Sequence, residues 1–161
     1  RAAAPDGAIR MIVEFTSQSP ADTLAAGRRM AQLLRPGDIV VLAGRLGSGK
    51  TLFASGVAEG LGVEEPVTSP TFVLVRSYEG FFPLVHADVY RLASFGEFDD
   101  LELIDAARDG VVLIEWGNAV ETDLPTDHIV VEIEITGEEG RRFRIIPRGA
   151  TANRSFREAA P

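Results

Sequence analysis

Val40-Val41-Leu42-Ala43-Gly44-Arg45-Leu46-Gly47-Ser48-Gly49-Lys50-Thr51 decides the architecture of this chain. Val40 to Ala43 read as a short buried strand stopped by glycine. Gly44 to Thr51 then satisfy G-x-x-x-x-G-K-[ST], the pattern of a phosphate-binding loop, and helical spacing follows at once. Glycines let backbone N–H groups turn toward a polyphosphate without Cβ clashes. The N-terminus of the next helix adds partial positive charge at the same point. Lys50 can reach the β- and γ-phosphates, and the Thr51 hydroxyl can ligate magnesium. Lys50 is also the only lysine among 16 Lys and Arg residues, so composition gives no reason to find one here by accident.

Upstream, Met11 to Phe15 form a strand candidate. Ser19 suits an N-cap with Pro20 at the first helical position. Apolar residues at Leu24, Ala25, Met30, Ala31 and Leu34 then carry a helix to Pro36-Gly37. Downstream, Phe53, Ala54, Val57, Ala58 and Leu61 give the loop's helix a core stripe that Gly62 closes. Thr71–Tyr78 and Phe82–Asp88 read as strands, and Ser94 to Ala107 as a helix with a solvated acidic face. Val111-Val112-Leu113-Ile114-Glu115 has the unbroken apolar run of a fully buried parallel strand. Residues 129–135 and 141–147 alternate around a Gly137-Glu138-Glu139-Gly140 turn and predict an antiparallel hairpin at one sheet edge.

The expected fold is therefore α/β: a P-loop NTPase-like, mostly parallel sheet flanked by helices, with a C-terminal antiparallel edge hairpin. Helices are expected on both faces, and ligand at the carboxyl ends of the strands. Residues 1–10 are expected to be a flexible arm, 11–147 the P-loop domain, and 148–161 a disordered polar tail.

At 161 residues the chain suits one domain with a sizeable core. Its net charge is −8 although both ends are basic, so the body is more acidic still. That balance opposes extensive direct contact with nucleic acid and is compatible with a basic partner surface. No apolar run is long enough to span a membrane, and the first residues lack the apolar stretch of a secretory signal. The absence of cysteine removes disulfides and thiolate metal sites and fits a reducing, cytoplasmic setting.

Magnesium at such a loop needs a carboxylate from a neighbouring strand end. Two strands end in acids, Asp88 and Glu115, and spacing alone leaves open which lies nearer the metal and which orients water. His86 shares a strand face with Asp88, where a hydrogen-bonded core histidine is the plainer reading. His128, beside Asp127, reads as a surface residue. Thr68, Ser69 and Thr71 around Pro70 suit either a segment sensing the γ-phosphate or an ordinary hydroxyl-stabilised turn. Trp116, next to Glu115, is either at the mouth of the site or a packing residue.

Taken together, Gly44-Arg-Leu-Gly-Ser-Gly-Lys-Thr51, Ser69-Pro-Thr-Phe72, His86-Ala-Asp-Val-Tyr-Arg91 and Glu115-Trp116 resemble the TsaE (YjeE) family. These four motifs occur in the family's order, over about residues 17–135. The resemblance implies a cytoplasmic, Mg2+-dependent ATPase of low intrinsic activity. It would be required for threonylcarbamoyladenosine modification of tRNA, working with TsaD and TsaB and meeting tRNA only through that complex. Carried onto this chain, Leu46, Gly47, Ser48, Gly49, Lys50 and Thr51 would hold the phosphates of ATP or ADP. Thr51 and Glu115 would hold Mg2+, with Asp88 arranging water or metal. Trp116 would lie near nucleotide or partner, and Ser69-Pro70-Thr71 would form a switch-like loop. His86, Tyr90 and Arg91 match the motif and are assigned to the switch or partner surface. Arg45 departs from the pattern, which usually has an acid there; its side chain can point away from the phosphates.

Two rival functions share these features. A small-molecule kinase would need a lid with clustered arginines, and none lies between the last strands. A non-catalytic nucleotide-dependent adaptor would differ only in lacking turnover. A GTPase fits poorly, because a chain with one lysine has no Asn-Lys-x-Asp segment to read guanine.

Overall fold

The computed structural model describes residues 11–68, 75–88, 105, 107–115 and 124–161. Its strands are β1 (Val13–Ser17), β2 (Ile39–Ala43), β3 (Val75–Tyr78), β4 (Leu84–Asp88), β5 (Val111–Glu115), β6 (His128–Ile135) and β7 (Arg141–Arg148). Helix α1 (Pro20–Ala31) follows β1, and helix α2 (Lys50–Gly60) follows β2. The strands form one seven-stranded sheet in the order β1-β7-β6-β2-β5-β4-β3. β4, β5, β2 and β6 run parallel; β3 on one side and β7 on the other run antiparallel to them, and β1 pairs antiparallel with β7. The expected hairpin is β6–β7, but it lies one strand inside the edge, because β1 pairs along β7 from Val13↔Ile145 to Ser17↔Arg141. The helix expected over 94–107 falls almost wholly outside the described residues.

α1 begins where its capping chemistry places it. The Ser19 hydroxyl accepts from Asp22 N at 3.1 Å, and Asp22 Oδ2 accepts in return from Gln18 N at 3.0 Å. Both helices lie on one sheet face, with Met30, Phe53 and Val57 packed among Val40, Leu42, Leu113, Val131 and Phe143. The opposite face buries Ile39, Val41, Val112, Ile114, Val130 and Ile146 with Ala107 and Leu124. This two-sided burial explains why β2 and β5 carry unbroken apolar runs.

α1 and α2 meet backbone to backbone. A Cβ at Gly27 would strike the Phe53 carbonyl, and one at Gly56 would strike the Leu24 carbonyl. Alanine ordinarily favours a helix over glycine by roughly 1 kcal/mol, but neither carbonyl can step aside, so the clash wins. Gly56→Ala is therefore expected to destabilise the protein by at least about 2 kcal/mol. A lowered urea midpoint with unchanged slope would register it; an unchanged midpoint would refute the close approach.

The tail beyond β7 corrects the expectation of disorder. Short 3-10 turns at Gly149–Asn153 and Arg157–Ala159 bring Phe156 and Ala159 into the core beneath α1. Arg154 clasps Asp38 through 2.7 and 2.9 Å contacts and donates to Leu33 O at 2.8 Å. Arg29 Nε donates to Ala159 O at 2.9 Å. Two apolar anchors and one bidentate arginine suffice to order a segment whose composition reads as polar. His128 also departs from its surface reading: it is buried, with Nδ1 2.8 Å from Pro125 O.

Candidate functional site

The parallel register assembles the site. Glu115 stands opposite Leu42 on one side and Asp88 on the other, so the carboxyl ends of β2, β5 and β4 lie abreast. The chain leaves β2 at Gly44 and turns through the loop into α2. Gly47 and Gly49 take φ of +82° and +105°, values that favour glycine. A Cβ at Gly44 would come within 2.7 Å of Ile133 O and would also meet the Ser48 hydroxyl. No side chain caps α2, so its first amides face the loop without a protein partner of that kind. The Ser48 hydroxyl is buried and lacks a hydrogen-bond partner among the described residues, a polar atom left over inside the cradle. Arg45 is exposed, and Leu46 reaches 86% exposure at the rim.

Lys50 is the first residue of α2, and its Nζ donates to Gly44 O at 2.7 Å and Arg45 O at 3.0 Å. Burial holds its ammonium below the usual lysine range, against an opposite pull from Glu115 and then Asp88. One residue further on, Thr51 Oγ1 lies 3.2 and 3.4 Å from the two Glu115 oxygens. Glu115, Asp88 and His86 are all buried. His86 Nε2 lies 2.5 Å from Glu115 Oε2, which brings a motif histidine against the acid from the neighbouring strand.

These contacts meet the donor chemistry of magnesium. A hard cation of this kind takes oxygen ligands, usually one or two carboxylates with a hydroxyl, waters and substrate phosphates. Thr51 and Glu115 supply a hydroxyl and a carboxylate side by side. Among the described residues no three metal-ligating side chains cluster, so the protein offers part of a shell and not a closed cage. Ser69, Pro70, Thr71, Tyr90, Arg91 and Trp116 lie outside the described residues.

Arg141 escaped the sequence reading. From the start of β7 its Nε donates to Ser48 O at 2.9 Å and its Nη2 to Gly47 O at 3.2 Å. Its Nη1 donates to Gly140 O at 2.7 Å, tying the hairpin turn to the loop. The guanidinium thus grips the carbonyl side of the loop, leaving the opposite, amide side for an anion. Only the antiparallel turn brings residue 141 beside residue 48, and no local spacing encodes that.

Residues 17–143 match the family profile for threonylcarbamoyl adenosine biosynthesis protein TsaE. The tRNA threonylcarbamoyladenosine biosynthesis protein TsaE of Treponema pallidum is 40% identical over 130 residues, covering 80% of this chain and 96% of its own. The protein of that name from Streptomyces coelicolor is 46% identical over 112 residues, covering 67% and 76%. The crystal structure of Bacillus subtilis YdiB superposes with a TM-score of 0.73 at 31% identity, over 88% of this chain and 89% of that one. With profile, relatives and fold in agreement, and the phosphate loop set among the acids of two neighbouring strands, the chain belongs to the TsaE family.

Proposed function

We propose that this protein binds and hydrolyses ATP with Mg2+, and serves threonylcarbamoyladenosine modification of tRNA together with TsaB and TsaD. The observation that carries the reading is the convergence of Lys50, Thr51, Asp88 and Glu115 where three parallel strands end beside the loop. The names of its relatives supply the pathway. Magnesium held by Thr51 and Glu115 would supply charge neutralisation at the β/γ oxygens. The loop amides and Lys50 stabilise the same charge as it develops, Lys50 leaving the Gly44 and Arg45 carbonyls for the phosphates. Asp88 orients the attacking water. The setting is cytoplasmic, and among the described residues no helix is long and apolar enough to cross a membrane.

None of the described arginines is committed to the transferred phosphoryl group in this reading, so the partner supplies that charge and gates the reaction. Such a residue is worth roughly 10³–10⁵ in rate. ATP hydrolysis measured alone and then with the cognate TsaB–TsaD complex tests the proposal. A weak rate that rises with the complex is expected. Nucleotide binding with no turnover in either condition would instead favour the adaptor.

Lys50 also gives the site a pH signature. A polyphosphate favours its charged form, so affinity falls as pH rises through the lowered Lys50 pKa, earlier than for an ordinary lysine. The stability term has the opposite sense. The folded protein sheds this proton more readily than the unfolded chain, so stability rises with pH between the lowered value and the usual one. ADP titrations from neutral pH to about pH 10 should show the loss, and Lys50→Arg should flatten it because guanidinium stays charged there. An equal slope in both proteins would contradict it.

A further inference from the structure

We propose that His86 is a positioning residue for the Glu115 carboxylate, holding its Oε2 with an Nε2–H donor so that the carboxylate stands ready beside Thr51. The inference rests on the reading that Glu115 helps to hold magnesium. The geometry fixes the tautomer. A carboxylate oxygen only accepts, so a bare Nε2 facing Oε2 at 2.5 Å would set two acceptors against each other. The hydrogen therefore sits on Nε2. Nδ1 is buried and has no hydrogen-bond partner among the described residues, so none of them competes for the hydrogen on that side of the ring.

The cost of this arrangement argues for a use. His86 is 0% exposed in a strand whose neighbours Leu84, Val85 and Ala87 are all buried apolar residues. An orphaned ring nitrogen in such a place is unfavourable, and an apolar side chain would avoid it. What the imidazole gains is the grip on Glu115. A glutamate has three side-chain rotors, and their freedom must be lost when the carboxylate meets a cation. Here His86 from β4 and Thr51 from α2 hold it from two separate elements, at 2.5 Å to Oε2 and at 3.2 and 3.4 Å to the two oxygens. A ligand carboxylate fixed by outer hydrogen bonds binds metal more tightly, and loss of such partners typically costs about 10–100-fold in metal affinity.

Two measurements test this. In nucleotide-free protein, long-range nitrogen–proton NMR should show His86, one of only two histidines, with its hydrogen on Nε2. A hydrogen on Nδ1 would overturn the proposal. Calorimetric ADP binding should then be followed against Mg2+ concentration. His86→Leu is expected to raise the Mg2+ requirement about 10–100-fold while ADP affinity in chelator stays unchanged. His86→Gln, whose Nε2 donor can occupy the imidazole Nε2 position, should restore most of the wild-type requirement. A wild-type requirement in His86→Leu would overturn the positioning role. If His86→Leu fails to fold, the tautomer in the wild-type protein still decides. Glu115→Gln tests the underlying reading separately: a wild-type Mg2+ response there would move the metal away from Glu115, whatever the tautomer of His86.

Discussion

Lys50→Ala is expected to lower Mg2+-dependent ATP turnover by about 10²–10³-fold or more, the scale for loss of one preorganised charge donor at a reacting oxygen. The fold should survive. Burial disfavours the Lys50 ammonium in the folded state, so its removal relieves one unfavourable term. The same change leaves Glu115 and Asp88 buried without their neighbouring cation, which opposes that relief. The two effects pull against each other, and the unfolding midpoint should move little. Turnover and denaturation measured on one preparation separate these outcomes: wild-type turnover would sink the role of Lys50, whereas collapse of the fold would show that its contacts to the Gly44 and Arg45 carbonyls are structural.

Glu115→Ala should have an effect as large, through a different quantity. Its carboxylate faces the Thr51 hydroxyl, so its loss should remove the Mg2+ response of nucleotide binding as well as turnover. The truncation also strands the His86 Nε2 hydrogen in the core, at about 1–3 kcal/mol for a buried donor without an acceptor. Glu115→Gln keeps an acceptor oxygen for His86 and isolates the charge. Expected is a stable Glu115→Gln protein that binds ADP equally with and without Mg2+. Mg2+-stimulated binding in both variants would move the assignment to Asp88.

The parts of the fold legible in the sequence are those where one local pattern has one physical cause. The glycines, Lys50 and Thr51 of the loop fix a backbone shape, and the apolar runs of β2 and β5 announce burial on both faces. Ser19 and Pro20 announce a helix start for the same local reason. What sequence could not rank was Asp88 against Glu115, because their separation from Thr51 depends on which strands are neighbours. The register places Glu115 between Leu42 and Asp88, and its carboxylate lies against the Thr51 hydroxyl, which supports the proposed assignment. Arg141 was illegible for a related reason: its acceptors are backbone carbonyls, which leave no mark on residue identity. Gly27 and Gly56 look like weak points of helices until the partner helix is in place. The tail misled by composition, since Phe156 and Arg154 anchor it as two isolated residues without period.

The pairing of β1 with β7 has a consequence for birth on the ribosome. Synthesis proceeds from the N-terminus, so Val13–Ser17 emerges long before its partner strand β7, and waits as an exposed edge while β2 to β6 are made. Arg141, which braces the loop, is delivered with that same last strand. A nascent chain therefore carries its complete phosphate-loop motif well before the residue that braces the loop has been made.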